Sequence, residues 1–280
     1  MGALMLLRRA MMRAAVAVSK YVPFADPKVL EVLIANGVSS DGVGITTADV
    51  EKVTSIGTWF KGNTEITSFD EFEKFTGVTA IGDDSNSFNG SSFYQCTALV
   101  SIAIPKSVSF IGYYTFRGCA SLKTIAFEDL SSIKTLRAGS FSETGMEGVV
   151  YFPELESIEG QCFNGTNITR VESLGKITTM PGVDYGYNQS SFDNCNQLTY
   201  VEIPETVTSI GGFFIGRAPA MKTLVLRATT PPTLSSVALG GLTMANITIY
   251  VPDASIDTYK AATNWAKYAA QIKPLSEYNG

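Results

Sequence analysis

The sequence predicts a solenoid that is mainly β, in which short coils stack and each coil buries its apolar face against its neighbours. The first observation is the skeleton F-x-x-C-x-x-L-x-x-I-x-I-P-x-x-V-x-x-I-G, which fills residues 93–112 and returns over residues 192–211. The second is that equivalent aromatic residues recur at a spacing of roughly 20–30 residues. These residues are Phe93, Phe116, Phe141, Phe163 and Phe192.

Composition limits the classes of function. The chain has 280 residues, of which 45% are hydrophobic and 17% are charged, and its net charge is −5. This charge gives no general attraction to nucleic acid or to anionic membranes. The chain contains no histidine, so it lacks the usual general base near neutral pH and the commonest zinc ligand. No cofactor, no metal and no enzyme activity are expected.

Residues 1–22 are predicted to be an anchoring or assembly segment. Three arginines interrupt its apolar residues, so it lacks the continuous run of roughly 7–15 apolar residues of a secretory signal. No cysteine precedes Cys96, which argues against a lipoprotein anchor, and no stretch reaches the length of a membrane span. The segment is expected to dock onto a partner chain or a second copy. The residues assigned to assembly are Leu4, Leu7, Arg8, Arg9 and Met11.

Residues 23–60 are predicted to form a small helical cap. Asp26 precedes Pro27 as an N-cap, and Asn36 and Gly37 end the first helix. A second short helix begins after Thr46, with a capping-box start. The loop between the helices has too few side-chain oxygens for calcium and is interpreted as a metal-free turn.

Residues 53–250 are predicted to form about seven coils. In each coil an I-x-I pair makes a short strand with both apolar side chains inward. Proline then ends the strand because it has no N–H to donate. The stacked strands form a parallel sheet on one face. The V-x-x-I-G piece makes an irregular return side of turns, where its glycine allows a positive φ.

The cysteines fit a structural role. Cys96, Cys119 and Cys195 share one position of the repeat, and Cys162 lies in another. A disulfide between Cys96 and Cys119 is sterically conceivable, since adjacent coils lie roughly 4.8 Å apart. Buried thiols are favoured, because cysteine fills a small apolar position well.

Residues 251–280 are predicted to close the stack with a helical cap. Asp253 or Ser255 is expected to cap a helix that continues to Trp265, with its apolar side covering the last open coil. Trp265 is interpreted as part of the cap core rather than as a ligand platform.

The repeat unit resembles the BspA-like leucine-rich repeat family, and the resemblance covers roughly residues 27–278. It extends to the lead-in over residues 46–82 and to the C-terminal Ile249-Tyr250-Val251-Pro252. It implies a leucine-rich-repeat solenoid and non-catalytic binding, often adhesion, and it transfers no fixed ligand residues. The N-terminus departs from the family, whose cell-surface members carry a signal peptide or a lipoprotein cysteine.

Two surfaces are candidates for the ligand. The first is a patch of outward side chains on the middle strands, which could equally be ordinary solvated positions. The second is the insertion over residues 180–189, whose composition suits adaptable contacts and which could equally be a tolerated insertion. The patch residues are Tyr151, Arg170, Glu172, Tyr200 and Glu202, and the loop residues are Asp184, Tyr185 and Tyr187.

Two functions remain. One is a binding or adhesion module that recognises protein or carbohydrate ligands outside a bacterial cell. The other is a structural virion component, a decoration or fibre protein of a phage of Bacteroidetes-like hosts, anchored by its N-terminus. No nucleic acid partner and no membrane span are expected, and residues 1–22 are the candidate contact for a homo-oligomer or larger assembly.

Overall fold

The computed structural model describes residues 20–85, 91–182 and 190–280. Its α-helices are α1 (Pro27–Ala35), α2 (Thr47–Val50) and α3 (Ile256–Ala261). The predicted starts of α1 and α2 are confirmed, since Asp26 accepts the Lys28 amide at 2.9 Å and Thr46 and Asp49 form a capping box. None of the helices in these ranges is long and apolar enough to cross a membrane.

Short strands carry the coils. They are β1 (Ser68–Phe69), β2 (Ala80–Ile81), β3 (Ser101–Ile104), β4 (Phe110–Ile111), β5 (Thr124–Phe127), β6 (Thr135–Leu136), β7 (Glu147–Tyr151), β8 (Ser157–Ile158), β9 (Asn167–Ser173), β10 (Thr179–Met180), β11 (Tyr200–Ile203), β12 (Ser209–Ile210), β13 (Thr223–Leu226), β14 (Thr233–Leu234), β15 (Thr248–Val251) and β16 (Ile272–Pro274). From β1 to β15 the strands alternate along the chain between a front and a return side, as stacked coils require, and β16 joins the front side after β15.

The front side is formed by β1-β3-β5 and by β7-β9-β11-β13-β15-β16, and the return side by β2-β4-β6-β8 and by β10-β12-β14. These ladders are parallel; Ile102 pairs with Ile125, and Val201 with Leu224. The predicted mainly β leucine-rich-repeat solenoid is confirmed. The division into cap, coils and C-terminal cap at the stated residues stays a prediction.

The return side differs from the predicted run of turns, because its two-residue strands form ladders of their own. The glycine that ends V-x-x-I-G also acts differently from coil to coil. Gly82 has φ +76, whereas at Gly112 a Cβ atom would lie 2.4 Å from the Asp83 carbonyl oxygen. Close approach of neighbouring coils therefore excludes a side chain at Gly112.

A column of phenylalanine rings runs through the core. Successive ring centroids lie 5.2 to 5.6 Å apart and the planes are within 14° of parallel from Phe93 to Phe192. Each ring is fully buried. One ring per coil thus seals the gap between that coil and the next, which is the physical reason for the aromatic period.

The cysteine position of the repeat is a hydrogen-bond donor as well as a small buried side chain. The thiol of Cys96 donates to the Phe60 carbonyl at 2.9 Å, and that of Cys119 to the Phe93 carbonyl at 3.0 Å. In two coils threonine takes this position: Thr144 donates to the Phe141 carbonyl and Thr166 to the Phe163 carbonyl, each within its own coil. The thiols are free and buried, so the expectation of buried thiols rather than a disulfide is confirmed.

The thiols of the folded protein are expected to resist Ellman's reagent near pH 8. Burial raises the pKa of Cys162 to about 12 and that of Cys195 to about 11, and the reactive thiolate is therefore scarce. All thiols should react quickly once guanidinium chloride unfolds the chain. Fast labelling of any native thiol would contradict the buried positions.

The C-terminal cap departs from the sequence-based expectation. Helix α3 ends at Ala261, before Trp265, and Ser255 makes no side-chain capping hydrogen bond. Asp253 instead accepts the Ser276 amide at 3.0 Å, so it ties down the following segment. The prediction for Trp265 is confirmed: its ring is fully buried and donates to the Pro232 carbonyl at 2.8 Å.

Candidate functional site

The front side of the solenoid is split between β5 and β7. Strand β5 is the last strand of the first front sheet, and β7 is the first strand of the second. A cleft of about 890 Å³ opens between them. It is lined by Lys123, Thr124, Ile125, Met146, Glu147, Gly148, Val149, Asn167, Thr169 and Gln197. Both strands therefore present an unpaired backbone edge to the same cleft.

Two bulges in β9, at Thr169 and Glu172, accompany the split. Gly148 has φ +84, and the register with β9 shifts between Gly148 and Val149 and again between Val150 and Tyr151. Thr169 donates to the Gly148 carbonyl at 3.1 Å. An extra residue bends the bulged strand and increases its local twist. Strand β7 pairs with this bulged β9, and β5 ends the other front sheet.

The split exposes part of the core. Ile125 and Phe127 are only partly buried, whereas Ile102 and Ile104 in the preceding coil are fully buried. The Phe127 and Phe152 rings still meet edge to face at 5.5 Å, so the coils stay in contact at one end of the cleft. The opening thus gives a ligand access to apolar side chains that other coils hide.

The rim of the cleft combines apolar and charged groups. Val149, in the lining, and Tyr151, two residues further along β7, are 46% and 47% exposed. Lys123 and Glu147 form an exposed ion pair across the mouth at 2.8 Å. Exposed apolar side chains bordered by polar ones are typical of a protein-binding surface. Sequence reasoning missed this cleft, although Gly145 and Gly148 mark the coil as irregular.

The five residues of the predicted patch do not form one exposed surface. Tyr151 is exposed, and Arg170 and Glu172 form an ion pair at 2.7 Å. Tyr200 is only 3% exposed, so the prediction that it faces solvent is wrong. The reason is that residues outside the repeats cover β11. The ligand role of these residues stays a prediction.

The covering group is Tyr278, close to the C-terminus. Its ring stacks on Tyr200, with centroids 5.7 Å apart, and lies 5.1 Å from the Tyr250 ring. The Arg170 guanidinium lies 3.9 Å from the centroid of the Tyr200 ring. Tyr200 is therefore enclosed by an aromatic ring and a cation. Tyr250, at the outward position of β15, was the sequence signal for an aromatic cluster on this face.

Charged groups fix the buried tyrosine. Tyr200 donates to Glu202 at 2.6 Å, and Arg227 donates to both oxygens of Glu202 at 2.8 and 3.2 Å. Burial, with the Glu202 carboxylate beside it, raises the pKa of Tyr200. Burial alone would also raise the pKa of Glu202, but hydrogen bonds from Arg227 and Tyr200 outweigh it and hold that pKa below its usual value. Glu202 is thus a charged, fixed acceptor.

The other predicted site residues lie outside the described residues. They are Asp184, Tyr185 and Tyr187 of the insertion, and Leu4, Leu7, Arg8, Arg9 and Met11 of the N-terminal segment. Within residues 20–85, 91–182 and 190–280, no group of three or more histidine, cysteine, aspartate or glutamate side chains is placed to hold a metal ion.

Solved structures similar to this chain include three bacterial proteins. A leucine-rich repeat protein from Bacteroides ovatus has 16% identity and a TM-score of 0.38; the match covers 75% of this chain and 65% of that one. A leucine rich cell surface protein from Faecalibacterium prausnitzii has 16% identity, a TM-score of 0.23 and coverages of 72% and 83%. An internalin from Listeria monocytogenes has 11% identity, a TM-score of 0.22 and coverages of 95% and 100%.

The comparison with curated proteins finds no match. The family model of the BspA type leucine rich repeat region matches residues 65–185 and 185–239, with six copies of the repeat. Repeats of this type suggest a surface or binding module, and leucine-rich repeat proteins generally bind proteins and are generally non-enzymatic. Since the model matches more than half of the residues, the chain belongs to the BspA type leucine-rich repeat family.

Proposed function

We propose that this protein is a non-catalytic binding module that recognises a protein ligand through the uncovered part of its front face, centred on the cleft between β5 and β7. The observation that carries the proposal is the exposure of Val149 and Tyr151 beside the partly exposed Ile125 and Phe127. Apolar and aromatic side chains around an opening can hold an anchor residue of a partner.

The chemistry of the cleft favours a protein over a carbohydrate. Ile125, Met146 and Val149 give its lining an apolar part, which lies among polar side chains such as Asn167 and Gln197. The unpaired edges of β5 and β7 offer backbone donors and acceptors, which an extended peptide can pair with as an added strand. A polypeptide supplies both an apolar anchor and such a backbone.

Substitution in the cleft is expected to abolish most ligand binding. The protein is tested on an array of immobilised glycans and purified extracellular-matrix proteins, and binding to a protein on the array is then measured by titration. We expect Tyr151→Ala and Val149→Ser each to weaken that binding by about tenfold or more, since anchor residues dominate interface energy.

Val43→Ser is the matched control, because Val43 is an exposed valine of the N-terminal part that does not line the cleft, and its substitution should leave the affinity unchanged. Equal affinity of the Val149, Tyr151 and Val43 variants would refute the cleft as the binding site. Binding to glycans but to no protein on the array would refute the proposal that the ligand is a protein.

The virion alternative depends on residues 1–22 as an anchor. Of these, residues 1–19 lie outside the described residues, so this alternative stays a prediction. Its test is the presence of the protein, with Met1 intact, in purified virions.

A further inference from the structure

The last residues of the chain return to the front face instead of ending beside the cap. After β16, a 3₁₀ turn over Leu275–Glu277 leads to Tyr278, whose ring lies on Tyr200 and Tyr250. Residues 275–280 thus place one aromatic side chain over strands that belong to the repeats. They are called the C-terminal strap below.

The seat beneath Tyr278 has three parts: the rings of Tyr200 and Tyr250, and the guanidinium of Arg170. Nη2 of Arg170 reaches the Tyr278 hydroxyl at 3.5 Å. The seat thus offers two aromatic surfaces for a ring and a cationic donor at its hydroxyl end. This combination is selective for a tyrosine side chain over an aliphatic one.

The seat is held in place by contacts that do not involve the strap. Glu172 accepts from Arg170 Nε at 2.7 Å, and Glu202 fixes the Tyr200 hydroxyl at 2.6 Å. Glu202 is itself held by two hydrogen bonds from Arg227. Because side chains held by such supporting contacts are preorganised, the seat keeps its shape when the strap leaves.

The strap is held loosely in comparison. Asp253 accepts the Ser276 amide at 3.0 Å and also hydrogen bonds from the Leu275 amide and the Ser276 side chain, but Asp253, Ser276, Glu277, Asn279 and Gly280 are all exposed. The contact of the strap with the rings of the front face is made by Tyr278. A chain segment whose hydrogen bonds are exposed to solvent opens at a small cost in free energy.

We propose that the seat formed by Arg170, Tyr200 and Tyr250 is a second binding site, specific for a tyrosine-bearing segment of a protein partner, and that the C-terminal strap occupies it in cis until the partner segment displaces it. The seated strap is the direct observation that a polypeptide with a tyrosine fits there. The apparent affinity for a partner is then the intrinsic affinity of the seat multiplied by the fraction of molecules in which the strap has left it. This site is separate from the cleft between β5 and β7.

The test titrates a synthetic peptide with the sequence of residues 273–280 into the full-length protein and into its Tyr278→Ala variant. Binding is followed by the amide NMR shifts of β9 and β11. We expect the variant to bind the peptide about tenfold or more tightly than the parent chain, because the loss of one aromatic stack empties the seat. A peptide with alanine in place of tyrosine should bind neither protein.

Glu277→Ala is the matched control, since it alters the strap but keeps Tyr278, and it should behave as the parent chain does. Unchanged circular dichroism of the variants shows that they are folded. Equal affinity of the parent and the Tyr278→Ala variant would overturn the proposal, as would the absence of shifts in the variant at millimolar peptide. Neither result bears on the proposal that the cleft between β5 and β7 binds a ligand, since the cleft substitutions are measured separately.

Discussion

Replacing Phe141 by alanine is expected to lower the free energy of unfolding by about 3–5 kcal/mol, the range for a fully buried phenylalanine. Its ring lies 5.6 Å from Phe116 and 5.4 Å from Phe163 in nearly parallel stacks. The substitution removes both stacks and opens a cavity, and the remaining pairs β6-β8 and β7-β9 hold this coil to its neighbours and limit how far the cavity can close. Urea unfolding followed by circular dichroism measures the loss.

Tyr151→Ala is the matched control for Phe141→Ala. Tyr151 lies in the same coil, but nearly half of its surface is exposed, so the expected change is within about 0.5 kcal/mol. Similar losses for the two variants would contradict the assignment of the phenylalanine column as the source of stability between coils.

Replacing Asp193 by alanine is expected to cost about 3 kcal/mol of stability. The carboxylate is buried and accepts the Arg217 amide at 3.0 Å, Nε at 3.0 Å and Nη2 at 2.7 Å. Arg217 is half exposed, so solvent screens its charge and most of the cost comes from the lost hydrogen bonds. The measurement is urea unfolding at neutral pH.

The same carboxylate makes stability depend on pH. Burial alone would raise the pKa of Asp193, but the hydrogen bonds from Arg217 outweigh it, and the pKa lies below its usual value. A lowered pKa stabilises the fold above the unfolded value of about 3.9, and this contribution is lost as the pH falls below that value. The stability difference between the parent chain and Asp193→Asn should therefore shrink in acid. A constant difference would contradict this account.

The repeat could be predicted from the sequence because its signals are local. The phenylalanines from Phe93 to Phe192 recur once in each coil, and each inward I-x-I pair lies within one coil. The capping residues Asp26 and Thr46 each act on one helix. The cysteine position was understood only in part, since its thiol donates to the preceding coil. Thr144 and Thr166 at the same position of the repeat show that it takes a hydrogen-bond donor, although their hydroxyls donate within their own coil.

The two features that shape the candidate sites are not local. The split depends on the pairing of β7 with the bulged strand β9 rather than with β5, which is set by the register between coils. The covering of Tyr200 depends on Tyr278, and the contact of Arg170 with Tyr278 spans 108 positions of the chain. A periodic pattern holds no information on such a return of the chain.

The breaks in the ladders have a mechanical consequence. The front ladder stops between β5 and β7, where β6 and β8 remain paired behind it; the return ladder stops between β8 and β10, where β7 and β9 remain paired in front. At each break, the same two coils therefore remain joined by a strand pair on the opposite side. Bending at the first break widens the front face, and bending at the second widens the back. Resistance to bending is therefore expected to be lowest at these two neighbouring places, in opposite senses, where backbone hydrogen bonds such as Gly145 to Cys119 and Lys176 to Leu155 still join the coils.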